Sequence, residues 1–296
     1  MIFQNQVTLI GESINDSVPS TKALFDSENI EAIQQLARSQ DESGADYIDV
    51  NIGMRAKEWM FRLVRAVREV TAKPLAIDSP DIEICRAGLE AYKFDQGHFD
   101  QGHGSKPILN SISPLRPEMF ELLVDFPCMP ILLISEQKKS DGTRATCRTA
   151  EETYCMACFM VATAKKYGLH CCDLILDPGI APIGSDTEGN LKRLLDTMTL
   201  IQNDPELQGV HYSVGLSNFT VQLPAKRKDG IPVKSSLESA FLTKAVPLGL
   251  DMVIGSVKRQ YEPLAADHPA MICLENCLAA ANGFEALTHV SRFYRG

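Results

Sequence analysis

The sequence lacks the features that mark membrane, secreted and nucleic-acid-binding proteins. Among its 296 residues no apolar run approaches the ~20 residues that cross a bilayer. The first residues, Met1–Gln6, carry neither a basic nor a long apolar stretch, so they predict no secretion signal. The formal net charge is −9 and the basic residues are dispersed, which argues against nucleic acid and anionic membranes as partners. We therefore expect a cytoplasmic protein.

The spacings of common metal sites are also missing. The sequence contains no HxH or HExxH pattern, which disfavours a dedicated zinc site. Its nine cysteines include the pair Cys155 and Cys158, but no second such pair or histidine follows at zinc spacing. Because this pair falls within an apolar helical pattern, we interpret it as reduced core thiols and expect no metal.

What the sequence does contain is a strand followed by a helix, repeated eight times. Eight such units match a (β/α)8 barrel of ~250 residues better than an open doubly wound sheet. No glycine-rich dinucleotide fingerprint opens the first helix, and no linker divides the chain, so we predict a single domain over residues 1–296. The predicted strands are Val7–Gly11, Ala45–Asn51, Pro74–Ser79, Pro107–Ser111, Pro130–Ile134, Asp173–Gly179, Val214–Asn218 and Leu250–Gly255.

One short repeat needs a separate interpretation. The segment Phe94–His98 recurs at once as Phe99–His103, which places two histidines and two aspartates in a glycine-rich stretch. A metal site is one alternative. The stretch has loop composition, however, and connects a helix to the next strand on the face opposite the catalytic end of a barrel. We favour a surface loop insertion.

Carboxylates and amides stand at nearly every predicted strand end. In a (β/α)8 barrel these ends gather at the catalytic face. Any one such residue has an ordinary use as a helix cap or turn residue, but the convergence of so many favours a binding site. The set contains no histidine or cysteine, and no arginine or lysine is evident there to pair with it. Its members are Glu12, Asn51, Asp78, Asn110, Ser135 or Glu136, Asp177, Asn218 and Ser256.

The hydrogen-bonding capacity of this set indicates its ligand. Ionised carboxylates only accept hydrogen bonds, whereas amides donate and accept, so the set suits a flat ligand rich in N–H groups with one carbonyl. A pterin or a similar heterocycle has that pattern. Because no serine or cysteine is paired with a histidine among the strand ends, acyl transfer through a covalent nucleophile is disfavoured.

The segments around these residues resemble, in the same order, the motifs of the pterin-binding methyltransferases. The closest similarity is to methyltetrahydrofolate:corrinoid protein methyltransferases, and it extends from the first strand to the last. That resemblance implies a dihydropteroate synthase-like, pterin-binding (β/α)8 barrel. The segments are Ile10–Asn15, Asp49–Gly53, Ile77–Ser79, Leu109–Ser111, Leu176–Pro178 and Gly215–Asn218.

The resemblance implies a methyl transfer between N5 of tetrahydrofolate and the cobalt of a corrinoid (cobalamin) that a separate corrinoid protein carries. It implies that Asp78, Asn110 and Asp177 accept hydrogen bonds from the pterin N–H groups. It also implies that Asn218 lies near N5 as the catalytic residue, and that the protein is a homodimer. The other members of the expected site are Glu12, Asn51, Gly215 and Ser217.

Two other functions remain open at this stage. Dihydropteroate synthase shares the barrel and the Asp, Asn, Asp set, but it needs an anion site for which Lys258-Arg259 is the only candidate. A barrel that binds folate or a corrinoid protein without catalysis is the second alternative.

The sequence departs from the corrinoid/iron–sulfur protein subgroup in a basic loop, residues 224–230. This loop is either solvated or a docking surface for an acidic partner or the folate glutamate tail. The departure favours a system that demethylates methylamines or aryl methyl ethers.

Overall fold

The protein is described here by a computed structural model covering residues 6–95, 106–139 and 141–296. Eight strands close into a parallel barrel, so the predicted (β/α)8 architecture is confirmed. Around the barrel the order is β1, β10, β9, β8, β5, β4, β3, β2. The barrel strands are β1 (Thr8–Asn15), β2 (Tyr47–Asn51), β3 (Leu75–Asp78), β4 (Ile108–Ile112), β5 (Met129–Leu133), β8 (Ile175–Asp177), β9 (His211–Gly215) and β10 (Met252–Gly255). A hairpin, β6 (Glu136–Lys138) and β7 (Arg144–Thr146), follows β5.

The strands are nearly continuous apolar runs because both of their faces are covered. One face packs against the outer helices, and the other fills the barrel with a layer of side chains that forms its own cluster. The barrel interior is therefore a packed core, and ligands reach only its mouths. The buried members of the layer are Ile10, Ala76, Ile108, Ile131, Ile175 and Met252.

Two of the helices that cover the barrel begin at residues whose side chains cap them. Asp81 accepts from the backbone N–H groups of Glu83 and Ile84, and Thr149 accepts from Glu152 N. The longer helices are α2 (Ile30–Glu42), α3 (Lys57–Arg68), α4 (Ile82–Asp95), α6 (Ala150–Lys166), α7 (Asn190–Gln202), α9 (Val233–Ala245), α10 (Pro269–Ala279) and α11 (Gly283–Arg295). Three short ones are α1 (Pro19–Asp26), α5 (Leu122–Asp125) and α8 (Leu216–Phe219).

The fourth unit is less helical than its sequence suggests. A 3-10 turn over Pro117–Glu121 leads directly into α5, which is one turn long. Phe126 is extended (φ −130°, ψ 110°) because the residue before a proline avoids helical backbone angles, and Pro127 follows.

Two sequence-based predictions concern the tandem repeat and membrane insertion. The tandem repeat begins at the end of α4, and residues 96–103 lie outside the part that the structure describes, so the surface-loop interpretation stays a prediction. Among the described residues no helix is both long enough and apolar enough to cross a membrane.

Candidate active site

Three of the predicted site residues lie side by side at the carboxyl ends of adjacent strands. Asn51 of β2 is in register with Asp78 of β3, and Asp78 is in register with Asn110 of β4. Residues in register on neighbouring parallel strands present their side chains to the same face. The Asn51 amide Nδ2 donates to Asp78 Oδ2 at 2.8 Å, so the first two are directly bonded. All three are half-buried at one mouth of the barrel.

A fourth polar residue, Asp49, lies one layer deeper and is not among the predicted site residues. It precedes Asn51 by two positions, so it faces the same side of β2, and it is only 1% exposed. Asn110 Nδ2 donates to Asp49 Oδ1 at 3.4 Å, while Asp49 Oδ2 has no partner among the described residues. Burial, followed by the neighbouring Asp78 charge, raises the pKa of Asp49 well above its usual value. A carboxylate inside an apolar strand is the sequence signal that could have identified it.

Asp177 completes the acceptor set from the other side of β5. It ends β8, in register with Leu133 of β5, and its Oδ1 accepts from Gly179 N at 2.7 Å. The backbone of Gly179 is left-handed (φ +71°), which makes the turn after β8 sharp. The same turn places the Gly179 N–H against the Asp177 carboxylate and so orients it. Asp177 therefore serves as the turn residue that its Asp-Pro-Gly context suggests and still lines the mouth.

The carboxyl groups of Asp78 and Asp177 are harder to ionise than usual, since the pKa of each is raised. Burial raises the pKa of Asp78 to about 6, against opposing contributions from the Asn51 hydrogen bond and the Arg116 charge. Burial likewise raises the pKa of Asp177 to about 6, opposed by the Gly179 N–H and the charge of Arg193. These two acceptors have few hydrogen-bond donors around them. A ligand rich in N–H groups supplies such donors.

The expectation that no arginine lies near the strand ends is wrong. Arg116 follows β4 and Arg193 lies on α7, and their charges act on Asp78 and Asp177 respectively. The sequence places both beyond the strand ends, one six residues past Asn110, so only the folded chain brings them near. Arg193 is already bonded, through Nη2 to Gly179 O and Nη1 to Thr153 Oγ1, each at 3.0 Å.

The remaining predicted residues lie at the junction of β9, β10 and β1. Glu12 sits inside β1, where the register with β2 shifts between Gly11 and Ile14, and it accepts a hydrogen bond from Ser217 Oγ. Such an irregularity re-aims side chains at a barrel rim. Glu12 and Ser217, two of the predicted site residues, are thus in direct contact.

Asn218 does not lie on a strand, which corrects the predicted extent of Val214–Asn218. The strand β9 ends at Gly215, and Asn218 belongs to α8, which begins at the next residue. The side chain of Asn218 is exposed and returns toward Gly215, where a methyl group added to the glycine would lie 2.7 Å from Nδ2. The strand stops because Gly215 adopts a ψ of 80°, which turns the chain into the helical α8.

The basic loop 224–230 is partly built into the fold. Arg227 pairs with Asp229 at 3.0 Å and lies over the Phe293 ring of α11, 5.1 Å from its centroid. Lys226 and Lys228 are exposed. Solvation and docking both remain open for these two lysines, whereas Arg227 is held in the structure.

Metal-ligating groups are not clustered in the part of the chain that the structure describes. No three histidine, cysteine, aspartate or glutamate side chains there are placed to hold an ion. All nine cysteines lie among the described residues and are free thiols, with Cys155 exposed and Cys158 half-buried.

Comparison with known sequences identifies the family. Residues 14–255 match the profile of a family described as pterin binding enzyme. The chain belongs to this family. A relative from Eubacterium limosum, described as a methylcorrinoid:tetrahydrofolate methyltransferase, is 26% identical over 259 residues, which is 83% of each chain. The predicted family is therefore confirmed.

Solved structures of the same architecture include two dihydropteroate synthases. The enzyme from Xanthomonas albilineans in complex with 7,8-dihydropteroate has a TM-score of 0.52 and 18% identity, covering 94% of this chain and 95% of that one. The enzyme from Vibrio fischeri ES114 has a TM-score of 0.59 and 14% identity, covering 98% and 92%. At these identities the similarity shows a shared fold and leaves the reaction to be argued from the site.

Proposed function

We propose that this protein transfers a methyl group between N5 of tetrahydrofolate and the cobalt of a corrinoid held by a separate protein. The observation that carries the proposal is the donor-poor set of Asn51, Asp78, Asn110 and Asp177 at one mouth of a pterin-binding barrel. The description of the Eubacterium limosum relative, which aligns over 83% of this chain, supports the same reaction.

In this proposal the carboxylates and amides hold the pterin ring. Asp78, Asn110 and Asp177 accept from its N–H groups, and Glu12 and Asn51 complete the rim. A pterin brings several N–H groups to carboxyl groups that have few other donors among the described residues, so binding gives these groups additional hydrogen bonds. The same binding favours ionised Asp78 and Asp177, which lowers their raised pKa values toward the usual range.

In the chemical step the methyl group moves without the electron pair of the bond that held it. When the N5–methyl bond breaks, its electron pair remains on N5, and cobalt(I) supplies both electrons of the new cobalt–carbon bond. A tertiary amine is a poor leaving group unless N5 gains a hydrogen bond or a proton as the bond breaks. Asn218 Nδ2 donates that hydrogen bond without a shifted pKa. The reverse transfer, which the relative's description names, passes through the same transition state.

The protein itself needs no nucleophile, because the corrinoid provides one. Its task is to hold N5, methyl and cobalt roughly in line. The exposed position of Asn218 leaves N5 accessible from outside, as a partner as wide as a corrinoid domain requires.

The finer parts of the proposal concern the cellular setting. We propose that the protein serves a catabolic demethylation system for methylamines or aryl methyl ethers, because the basic loop 224–230 departs from the corrinoid/iron–sulfur protein subgroup. We also propose that it works in the cytoplasm as a homodimer of single-domain subunits. Light scattering of the purified protein tests the dimer directly.

One assay separates the three candidate functions. Purified protein is mixed with methyltetrahydrofolate and cob(I)alamin, and the cobalt spectrum is followed for the formation of methylcobalamin. Tight folate binding without methylcobalamin would favour a non-catalytic barrel. Activity with p-aminobenzoate and a pterin diphosphate would favour dihydropteroate synthase. Against the latter, Arg259, a candidate for its anion site, is already paired with the buried Glu238.

A further inference from the structure

The turn that carries Asn218 is held by contacts from three directions. On one side Ser217 Oγ donates to Glu12 of β1. On another, the N–H of Ile183, in the segment after β8, donates to Phe219 O at 2.9 Å. From α9, the Phe241 ring packs against the Phe219 ring with centroids 5.2 Å apart. Four of the five residues from Leu216 to Thr220 are at least half-buried, and Asn218 alone is exposed.

The third direction also contains a buried ionic group. Thr220, which is 0% exposed and is the C-cap residue that follows α8, donates from Oγ1 to Glu238 Oε1 of α9. Glu238 is itself 0% exposed, and the same oxygen accepts from Arg259 Nη1, which lies in the segment after β10. Both bonds are to Oε1, while the buried Oε2 has no partner among the described residues, so Glu238 depends on these two bonds. The two bonds tie α8, α9 and the segment after β10 into one arrangement.

This group is not needed to build the barrel. Among the described residues Glu238 bonds Thr220 and Arg259 and no predicted ligand-binding residue, although the nearby Glu12 charge acts on it, and the parallel ladder of β9 and β10 is complete without it. The group fixes Thr220 at the end of the turn that carries Asn218. Asn218 precedes Thr220 by two residues. A side chain that donates a hydrogen bond in the transition state must hold that position before the reaction begins. A displacement of about 1 Å can lower the rate roughly 10²-fold.

We propose that Glu238, paired with Arg259 and acting through the Thr220 hydroxyl, is a positioning residue that fixes the Asn218 amide for methyl transfer. This inference rests on the proposed function. It adds to it two buried residues, Glu238 and Thr220, which act through Asn218 and touch no substrate.

Thr220→Val is the most specific test. It keeps the shape of the side chain and removes only the hydroxyl, while Glu238 Oε1 retains Arg259, so no buried charge is left alone. We expect kcat for methyl transfer to fall about tenfold, with the KM for folate within about twofold. Thr220→Ser, which keeps the hydroxyl, should restore kcat to within about twofold of the wild type.

Thr71→Val is the matched control. Thr71 is also buried and also donates to a carboxylate, Asp41, but it follows α3 at the opposite end of the barrel. Both variants thus lose one hydroxyl–carboxylate bond, and Thr71→Val also loses the bond that Thr71 Oγ1 accepts from Lys73 N. If kcat of Thr220→Val equals that of Thr71→Val, the proposal is wrong.

A double-mutant cycle checks that the effect passes through Asn218. In an Asn218→Ala background, Thr220→Val should cause no further loss of kcat, because the group being positioned is gone. A full further tenfold loss would overturn the proposal, since Thr220 would then act independently.

A readout without turnover separates this inference from the proposed reaction. The side-chain amide of Asn218 gives a pair of signals in a ¹H–¹⁵N spectrum. This pair is assigned because the spectrum of Asn218→Ala lacks it. It should be single and sharp in the wild type and in Thr71→Val, and shifted or broadened in Thr220→Val. An unchanged signal in Thr220→Val rules out positioning even if methyl transfer is observed. A wild type that transfers no methyl group contradicts the proposed function instead.

Discussion

The two sides of the active-site mouth are built by different means. On the side of β2, β3 and β4, the strand register itself aligns Asn51, Asp78 and Asn110. On the side of β9, the strand ends at Gly215 and a short helix carries Asn218, held by side-chain contacts from other elements. The first side is a rigid row of acceptors, and the second is a single exposed donor on a supported turn.

We propose that this difference corresponds to two tasks. A heterocycle is bound by several acceptors at fixed spacing, which adjacent strands provide because their separation is constant at about 4.8 Å. A reacting nitrogen needs one donor whose placement is adjusted independently of that spacing. The comparison therefore predicts that substitutions on the two sides affect binding and rate separately.

The largest effect is expected on the acceptor side. Asp177→Ala removes the oxygens that are proposed to accept from pterin N–H groups, and charged hydrogen bonds of this kind contribute about 1.5–3 kcal/mol each. Folate affinity, measured by calorimetry, should fall roughly 10²- to 10³-fold, while kcat at saturation changes much less. The control is Asp251→Ala at the opposite end of the barrel, where Asp251 accepts from Tyr212 N. Unchanged folate affinity in Asp177→Ala would show that Asp177, at the end of β8, does not contribute to folate binding.

The donor side should show the opposite pattern. Asn218→Ala removes a hydrogen bond that strengthens as the N5–methyl bond breaks, so kcat should fall by about 10²-fold or more. Folate affinity should change less, because Asn218 is exposed and contributes little to the bound ground state. Stopped-flow measurement of methylcobalamin formation under single turnover checks this. A loss confined to folate binding would make Asn218 a ligand-positioning residue.

The sequence predicts the acceptor side better than the donor side, for a physical reason. Strand ends follow from apolar runs bounded by polar residues, and barrel closure then gathers them without further information. Asn51, Asp78, Asn110 and Asp177 were found in this way. Asp49 was missed as a site residue because its role depends on which face of β2 is internal, and its partner Asn110 is 61 positions away.

The donor side depends on tertiary contacts that no local pattern contains. The bond from Ser217 to Glu12 spans 205 positions, and the Glu238–Arg259 pair joins a helix to a later loop. The extent of the strand before Asn218 was predicted wrongly for a related reason. Leu216 continues the apolar run, and only the backbone turn at Gly215 ends the strand. The short hairpin after β5 carries mostly polar residues, so it gave no strand signal.

The third prediction uses pH to change the ionisation of the acceptor side and measures folate binding. Asp78 and Asp177 both have a pKa of about 6, and only their ionised forms accept fully from pterin N–H groups. Folate affinity should be constant above pH ~7 and fall as the pH drops below 6, by about tenfold per pH unit for each carboxyl that must ionise. Calorimetric titration from pH 7.5 to 5 tests this. An affinity independent of pH over that range would contradict the role of these carboxylates.

A smaller effect is expected on stability, with opposite signs at the two ends of the barrel. The folded pKa of Asp177, about 6, exceeds the unfolded value of about 3.9, so the folded state binds the proton more tightly. Ionisation of Asp177 therefore lowers the free energy of unfolding. The loss is complete above pH 6, shrinks as the pH falls from 6 to the unfolded pKa, and is absent below the unfolded pKa. Asp177→Asn should raise the free energy of unfolding by about 1–2 kcal/mol at pH 8 without ligand, and by less at pH 5.

Asp251→Asn is the matched control for that measurement. Asp251 Oδ2 lies 2.6 Å from His211 Nδ1 and raises the pKa of His211 by hydrogen bonding. The protonated pair stabilises the fold below the unfolded histidine pKa, and this is lost as the pH rises through the folded value. Because both side chains are about a third exposed, Asp251→Asn should cost less than about 1 kcal/mol, more at pH 6 than at pH 8. Urea unfolding in which Asp177→Asn is the less stable variant at pH 8 would contradict the contrast.

The smallest effect tests how closely the donor side is packed. Gly215→Ala places a methyl group 2.7 Å from Asn218 Nδ2, a separation that forces the flexible amide to turn away while the backbone stays in place. We expect kcat to fall about fivefold, with a change of less than about 1 kcal/mol in the free energy of unfolding. Gly255→Ala, at the end of the neighbouring β10, is the matched control, because its nearest new contact is Tyr261 OH at 3.3 Å. If Gly215→Ala keeps the wild-type kcat while folate still binds, the amide does not act from its position beside Gly215, and the donor side works from another rotamer of Asn218.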